Sequence, residues 1–451
     1  MSSRKPIRIN AFNMNCVGHI HHGLWSHPRD RSGDYRSLAY WTELAQLLER
    51  GLFDALFLAD ILGAYDVFEG SIRLTAEEAV QLPVNDPFMP VSAMAAVTRH
   101  LGFGLTANLS HEPPYLLTRR LSTLDHLTEG RIGWNVVTGY LDSAARAMGQ
   151  EGLARHDERY DRAEDYLALT YRLWEGSWED DAVPRDRERR VFSDPTRIHP
   201  VAHEGPFYRC NGYHLCEPSP QRSPVIYQAG SSRRGRQFAA RHAEAVFISG
   251  QDRVAAARFV AELRRDAAHV GRDPADIKVF PGISVVVDGT RRLAEAKYRD
   301  YARYASPEAG LAHFSSSLGV DLSRFALDEP IDVGHGNAIQ SAATSANGSG
   351  MTRRKLLESL QLGSRYPVLV GNAADIADAL ESWIDEADVD GFNLTRIVTP
   401  ESYADFIEFV VPELQRRGRY RTSYEEGTLR HKLFGRGDRL PIYHPAAASR
   451  R

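Results

Sequence analysis

Long apolar runs are missing from this chain. Nowhere in its 451 residues do about 18 apolar residues follow one another, the length that a membrane-spanning helix needs. The opening MSSRKPIRINAF carries cations but no apolar stretch of signal-peptide length. Neither export nor membrane insertion is expected, and the cytoplasm is the expected location. Cysteine is scarce: Cys16, Cys210 and Cys216 are the three present, too few and too unevenly spaced for a disulfide framework. Neither sign of charge is in excess. Fifty-five Lys and Arg against 59 Asp and Glu leave a net charge of −4, which argues against nucleic acid or an anionic membrane as partner. No GxGxxG follows the first strand-like run, and neither a P-loop nor a Gly-x-Ser-x-Gly elbow occurs. The dinucleotide, nucleoside-triphosphate and α/β-hydrolase signatures are thus absent.

What is there is an ordinary globular composition, 43% hydrophobic and 25% charged, able to bury a sizeable core. Strand-like runs at Ile7 to Phe12, Asp54 to Leu58, Leu101 to Leu109, Arg131 to Val137, Val225 to Ala229, Ala245 to Ile248, Val279 to Val287 and Gly391 to Thr395 alternate with amphipathic runs. Repeated βα units of this kind predict a parallel sheet. The expected fold is α/β, a single (β/α)8 barrel over residues 1–451 with insertions at about 177–221 and 306–351. Ser177 to Gln221 is rich in charge and proline. Ser306 to Met351 carries the small, polar GHGNAIQSAATSANGSGM, which reads equally as a lid over the barrel mouth or as a surface insertion.

The stretch Gly130 to Gly149, GRIGWNVVTGYLDSAARAMG, joins a strand to a polar, glycine-punctuated exit. Asn135, Thr138 and Tyr140 fall at its C-terminal end, where barrels build active sites. Asp60 and Thr106 take equivalent places on the second and third strands. After the strand Val225 to Ala229 comes Gly230-Ser231-Ser232-Arg233-Arg234-Gly235-Arg236, where serines can cap a helix whose free N–H groups bind an anion. The residues alone allow a phosphate monoester there or an ordinary solvated cap. His156 and Tyr160 are four apart at the start of a helix and can face one ligand. His19-Ile20-His21 permits a different chemistry, since an H-x-H after the first strand can begin the site of a metal-dependent hydrolase. That reading needs further ligands at later strand ends, and the strand Val225 to Ala229 ends in Gly230-Ser231 instead. Cys210, His214 and Cys216 lack a second ligand pair, so no metal site is expected.

Over most of its length the chain resembles the nitrilotriacetate monooxygenase family, within the bacterial luciferase-like superfamily. The blocks that carry the likeness include ERGLFDALFLAD, YLLTRRLSTLDHLTEGRIGWNVVT, HDERYDRAEDYL, SPQRSPVIYQAGSSRRGRQFAARHAEAVF and DGFNL. The resemblance implies a luciferase-like TIM barrel, a homodimer or homotetramer, that takes reduced FMN (FMNH2) from a separate NAD(P)H:FMN reductase. It further implies that one oxygen atom of O2 is inserted into a small organic substrate by way of a flavin C4a-(hydro)peroxide. By matching motif, Asp60, Thr106 and Asn135 are expected at the isoalloxazine, His156 and Tyr160 at the ribityl phosphate side, and Ser231 and Ser232 at the phosphate. Cys16, His19, Tyr65, Tyr140 and His313 are expected on the substrate side. The cysteine and histidine three apart are most similar to the long-chain alkane monooxygenase branch, dibenzothiophene sulfone monooxygenase being a further relative. A deazaflavin (F420)-dependent oxidoreductase on the same barrel is the alternative that the resemblance leaves open.

Overall fold

The computed structural model describes residues 4–249, 252–331, 350–362 and 366–451. Eight parallel strands close a barrel: β1 (Arg8–Met14), β2 (Ala55–Ala59), β3 (Gly102–Asn108), β4 (Ile132–Val137), β7 (Val225–Gln228), β8 (Ala245–Ile248), β9 (Lys278–Val287) and β11 (Gly391–Thr395), which returns to β1. The remaining three lie outside the ring. β5 (Val201–Glu204) and β6 (Arg209–Gly212) form an antiparallel hairpin, and β10 (Val368–Gly371) pairs with the far end of β9. Ser284 is the branch point, in register with Thr395 of β11 and with Val368 of β10. The expected (β/α)8 barrel and its eight strands are borne out.

Side-chain alternation along each strand sorts the two layers of the core. Leu56 and Leu58 of β2, Phe103 and Leu105 of β3, and Trp134 and Val136 of β4 point outward and pack under the surrounding helices, such as α1 (Leu38–Arg50) with Trp41, Leu44 and Leu48. Phe12, Phe57, Tyr227, Phe247 and Phe280 point inward and fill the barrel. Phe57 and Phe247 meet with ring centroids 4.3 Å apart. The neighbouring strands β4 and β3 must yield room: a Cβ on Gly133 would lie 2.3 Å from the Tyr227 ring and one on Gly104 2.9 Å from it. Glycine at those inward positions is therefore a packing requirement, not a flexibility. Leu429 and Leu433 of the helix Leu429–Phe434 close the other end of the same cluster.

Two predicted loops contain regular structure. In the Ser177 to Gln221 excursion, the β5–β6 hairpin is pinned by Asp165 of the helix α2 (His156–Gly176), whose carboxylate accepts from the N–H groups of Phe207 and Tyr208, each at 2.8 Å. In Ser306 to Met351, Pro307–Leu318 is a buried helix, α3. Ser306 caps it by accepting from Ala309 N–H, and Gly319 ends it at φ 72°. Its Leu311 and Leu318 pack with Phe68, Leu322 and Leu356. Its alanines, glycine and serines gave it the composition of a loop. Most of GHGNAIQSAATSANGSGM lies outside the described residues. The sequence reading passed over β10 and the helix Ala373–Ala387, although Asn372 and Asp375 form a capping box there.

Candidate active site

A cavity of about 680 Å³ opens at the C-terminal ends of the barrel strands, the end where such barrels place their chemistry. Asp60, Asn135, Tyr140, His156, Tyr160, Ser231 and Ser232 all line it. Four segments remote in sequence thus converge on one chamber.

One corner is a glycine-lined cradle at a helix start. Ser232 caps the helix Arg233–His242, accepting from Gly235 N–H at 3.1 Å. Its hydroxyl also lies 3.3 Å from His156 Nε2, whose ring stands 5.2 Å from that of Tyr160. The turn between strand and helix is held open by Gln228, which accepts from Gly230 N–H at 2.7 Å. A Cβ on Gly230 would sit 2.4 Å from the Tyr160 hydroxyl, and one on Gly235 2.6 Å. Backbone, tyrosine and helix start therefore approach as closely as they do only because both positions are glycine. Arg159, buried beside them, brings a cation to the same lining.

Across the floor, Asn135 Nδ2 donates to Thr106 Oγ1 at 2.9 Å, and Asn135 Oδ1 has no hydrogen-bond partner among the described residues. A buried, unsatisfied carbonyl costs about 1–3 kcal/mol, so its place in a cavity wall marks it as a ligand contact. Thr106 itself stands behind Asn135. Asp60 ends β2, and burial, reinforced by the charge of Asp86, pushes its carboxyl up to about 8. It is protonated at neutral pH and can donate.

Of the expected substrate-side residues, Tyr140 lines the cavity and the others form the layer behind it. Tyr65 Oη lies 2.9 Å from Tyr140 Oη, and the Tyr65 ring stacks on His313 at 4.7 Å. His313 Nδ1 is 3.0 Å from His22 Nε2. His19 meets Phe12 edge-on at 4.7 Å. Cys16 is buried, and that burial pushes its thiol up to about 12, opposed only in part by Arg396. It packs behind the wall and is no thiolate nucleophile. Arg396, just past β11, donates to the carbonyls of Cys16 at 3.0 Å and Val17 at 2.8 Å, clamping the segment that carries His19.

His21 does not pair with His19 in a ligand arrangement. Its Nε2 lies 2.7 Å from Ser284 Oγ and 3.3 Å from Thr395 Oγ1, where β9 meets β11, and burial together with Arg396 lowers its pKa to about 3. Among the described residues no group of three His, Cys, Asp or Glu could hold a metal ion.

Part of the lining is apolar, with Phe314 and Leu318 of α3 joined by Ile331, Met351 and Leu356. Gln81, Gln228, Leu356 and Arg396 escaped the sequence reading, whereas Phe314, Leu318, Ile331 and Met351 fall in the stretch Ser306 to Met351 that it offered as a lid. Only the fold brings the first four near the cavity, so no local motif could have announced them.

The model of the luciferase-like monooxygenase family matches residues 19–390. The chain belongs to that family. It is 50% identical over 447 residues to the long-chain alkane monooxygenase of Geobacillus thermodenitrificans, covering 99% of this chain and 98% of that protein. It is 48% identical over 452 residues to the dimethyl-sulfide monooxygenase of Hyphomicrobium sulfonivorans, covering 99% and 94%. A solved riboflavin lyase, holding a modified FMN and its substrate riboflavin, superposes with a TM-score of 0.94 at 37% identity, over 99% of this chain and all of that one. The family expected from the motifs is thereby shown, and with it a monooxygenase.

Proposed function

We propose that this chain is the oxygenase component of a two-component system, binding FMNH2 delivered by a separate reductase and using O2 to oxygenate a small, uncharged organic substrate. The carrying observation is that Tyr160 and Ser231 share one cavity with Asp60 and Asn135. The residues fit FMN. The glycine-lined cradle with His156, Tyr160, Ser231 and Ser232 offers donors for a phosphate monoester, and Asn135 Oδ1 is an orphaned acceptor for an N–H at the polar edge of a ring. The protonated Asp60 adds a donor near that edge.

When bound, reduced flavin supplies the two electrons that O2 needs. The chain's own residues do the rest. The cradle fixes the cofactor by its tail, and Thr106 holds the Asn135 amide so that its oxygen faces the ring. Phe314, Leu318 and Met351 keep water out of the chamber. Cys16, His19, Tyr65, Tyr140 and His313 shape the substrate end, where the imidazoles of His19 and His313 can hold or move a proton. Arg159 is the one described Arg or Lys in the lining, and it sits at the cradle. An aminopolycarboxylate, as the resemblance to nitrilotriacetate monooxygenases would suggest, would thus find no Arg or Lys other than Arg159 among the described lining residues to neutralise it. The names of the alkane and dimethyl-sulfide relatives agree with that preference.

Oxygen uptake with FMNH2 and a reductase, screened over alkanes, thioethers, sulfones and aminopolycarboxylates, tests the proposal. Substrate-dependent uptake with an uncharged compound is expected. Tight binding of a deazaflavin with hydride transfer and no oxygen consumption would overturn it.

A further inference from the structure

A second cavity, of about 450 Å³, lies between the later half of α2, strand β5, the end of the helix Arg233–His242 and the C-terminal turn Pro445–Ser449. It shares no lining residue with the chamber at the barrel mouth, and its volume is that of a small-molecule pocket. A Cβ on Gly176, where α2 ends, would lie 2.5 Å from Ser449 O. Glycine there is what lets the C-terminal turn come close enough to form one side. Among the described residues the lining carries Arg172, Arg241, Arg450 and Arg451 against a single side-chain carboxylate, Glu164. Two helices end here, and their dipoles supply about half a negative charge each, which offsets only part of that excess. Arg450 is tied to Glu175 at 3.0 Å, and Arg241 reaches Glu164 only at 3.5 Å. Arg172 donates to Ala202 O at 2.9 Å and faces no carboxylate among the described residues. Like charges gathered in a concave wall focus a positive potential into it.

We propose that this cavity is a second ligand site, taking a small organic polyvalent oxyanion whose carboxylate or phosphate groups are held by Arg172 and Arg241. The two guanidinium groups stand on different helices, so their planar forks can grip an anion from two sides. Buried Val201 and Tyr171 give the carbon body apolar surface. The proposal goes beyond the monooxygenase reading and does not depend on it. The helix whose start forms the cradle spans 10 residues and ends at this cavity, a separation of about 15 Å. That exceeds the screening length of about 8 Å at physiological salt, so the two sites bind separately.

The test titrates the full-length chain by calorimetry with citrate and with fructose 1,6-bisphosphate at about 0.15 M NaCl, where loose attraction to the surface is screened. One saturable site is expected for at least one of them, the tighter probe telling a carboxylate ligand from a phosphate one, and none for uncharged sorbitol. Arg172→Gln and Arg241→Gln should each weaken binding about tenfold or more. Arg172→Lys keeps the charge but not the fork and should recover part of the loss. Ala168→Trp fills the cavity from an exposed position with every charge left in place, and should abolish binding while the unfolding midpoint stays put. Gly235→Ala, at the cradle, should leave binding as in the parent. Absence of saturable binding by both probes, binding that survives Ala168→Trp, or a site lost in Gly235→Ala yet kept in Arg172→Gln overturns the proposal.

Discussion

Thr106 and Asn135 are register partners on neighbouring barrel strands, and the asparagine amide donates to the threonine hydroxyl across the 2.9 Å between them. That bond turns Nδ2 towards the threonine and away from the chamber. With Nδ2 committed, Oδ1 is the atom presented to a ligand, and the site reads a donor there. Thr106→Val removes the acceptor while keeping the shape, which frees the amide to rotate. FMN affinity, followed by flavin fluorescence, should fall about fivefold to tenfold, with the unfolding midpoint nearly unchanged. An affinity equal to the parent's would show that the threonine does not orient the amide.

The cradle makes a sharper demand. In Gly235→Ala the new methyl would stand 2.6 Å from the Tyr160 hydroxyl, at the end of a rigid ring that cannot fold aside. Binding of FMN should weaken by about tenfold or more, whereas riboflavin, which lacks the phosphate, should lose less. Equal losses for the two flavins would place the phosphate elsewhere.

Asp60 gives the flavin-free protein a pH dependence. Burial, with Asp86 adding to it, holds its carboxyl protonated to about pH 8, against an ordinary value of 3.8. Between those limits the folded chain carries a proton that the unfolded chain has released, so this residue's contribution to stability falls as pH rises from about 4 to about 8. Asp60→Asn should match the parent near pH 4 and exceed it near pH 8 in urea denaturation. Parallel stability curves for the two proteins would refute the assignment.

Arg396 carries a structural prediction. Its guanidinium is 3% exposed and donates to the carbonyls of Cys16 and Val17. Arg396→Met strands both acceptors and should cost about 2–4 kcal/mol in denaturant unfolding. It should also loosen the segment bearing His19, visible as faster amide exchange over residues 15–22. Unchanged exchange there would mean that the clamp is not what orders the loop.

Motif and alternation exposed much of this molecule. The inward and outward faces of β4 follow from the two-residue period of IGWNVV, and the serine-and-glycine turn after β7 showed its anion-binding potential without any fold. The helix α3 was hidden because Ala, Gly and Ser bury well on a tightly packed face yet look like loop residues in a row. Gln81 was hidden for another reason. It is unremarkable in its own segment and gains a role only where Tyr65 is brought against it.

Local periodicity and turn chemistry are written in neighbouring residues, which is why the chain alone determined the barrel, its eight strands and the serine-capped helix start after β7. The Asn135 amide's orientation, the raised carboxyl of Asp60 and the apolar part of the lining depend on groups dozens to hundreds of residues apart. Only closure of the barrel brings these into contact and removes the water that would otherwise satisfy them, so tertiary structure decided them.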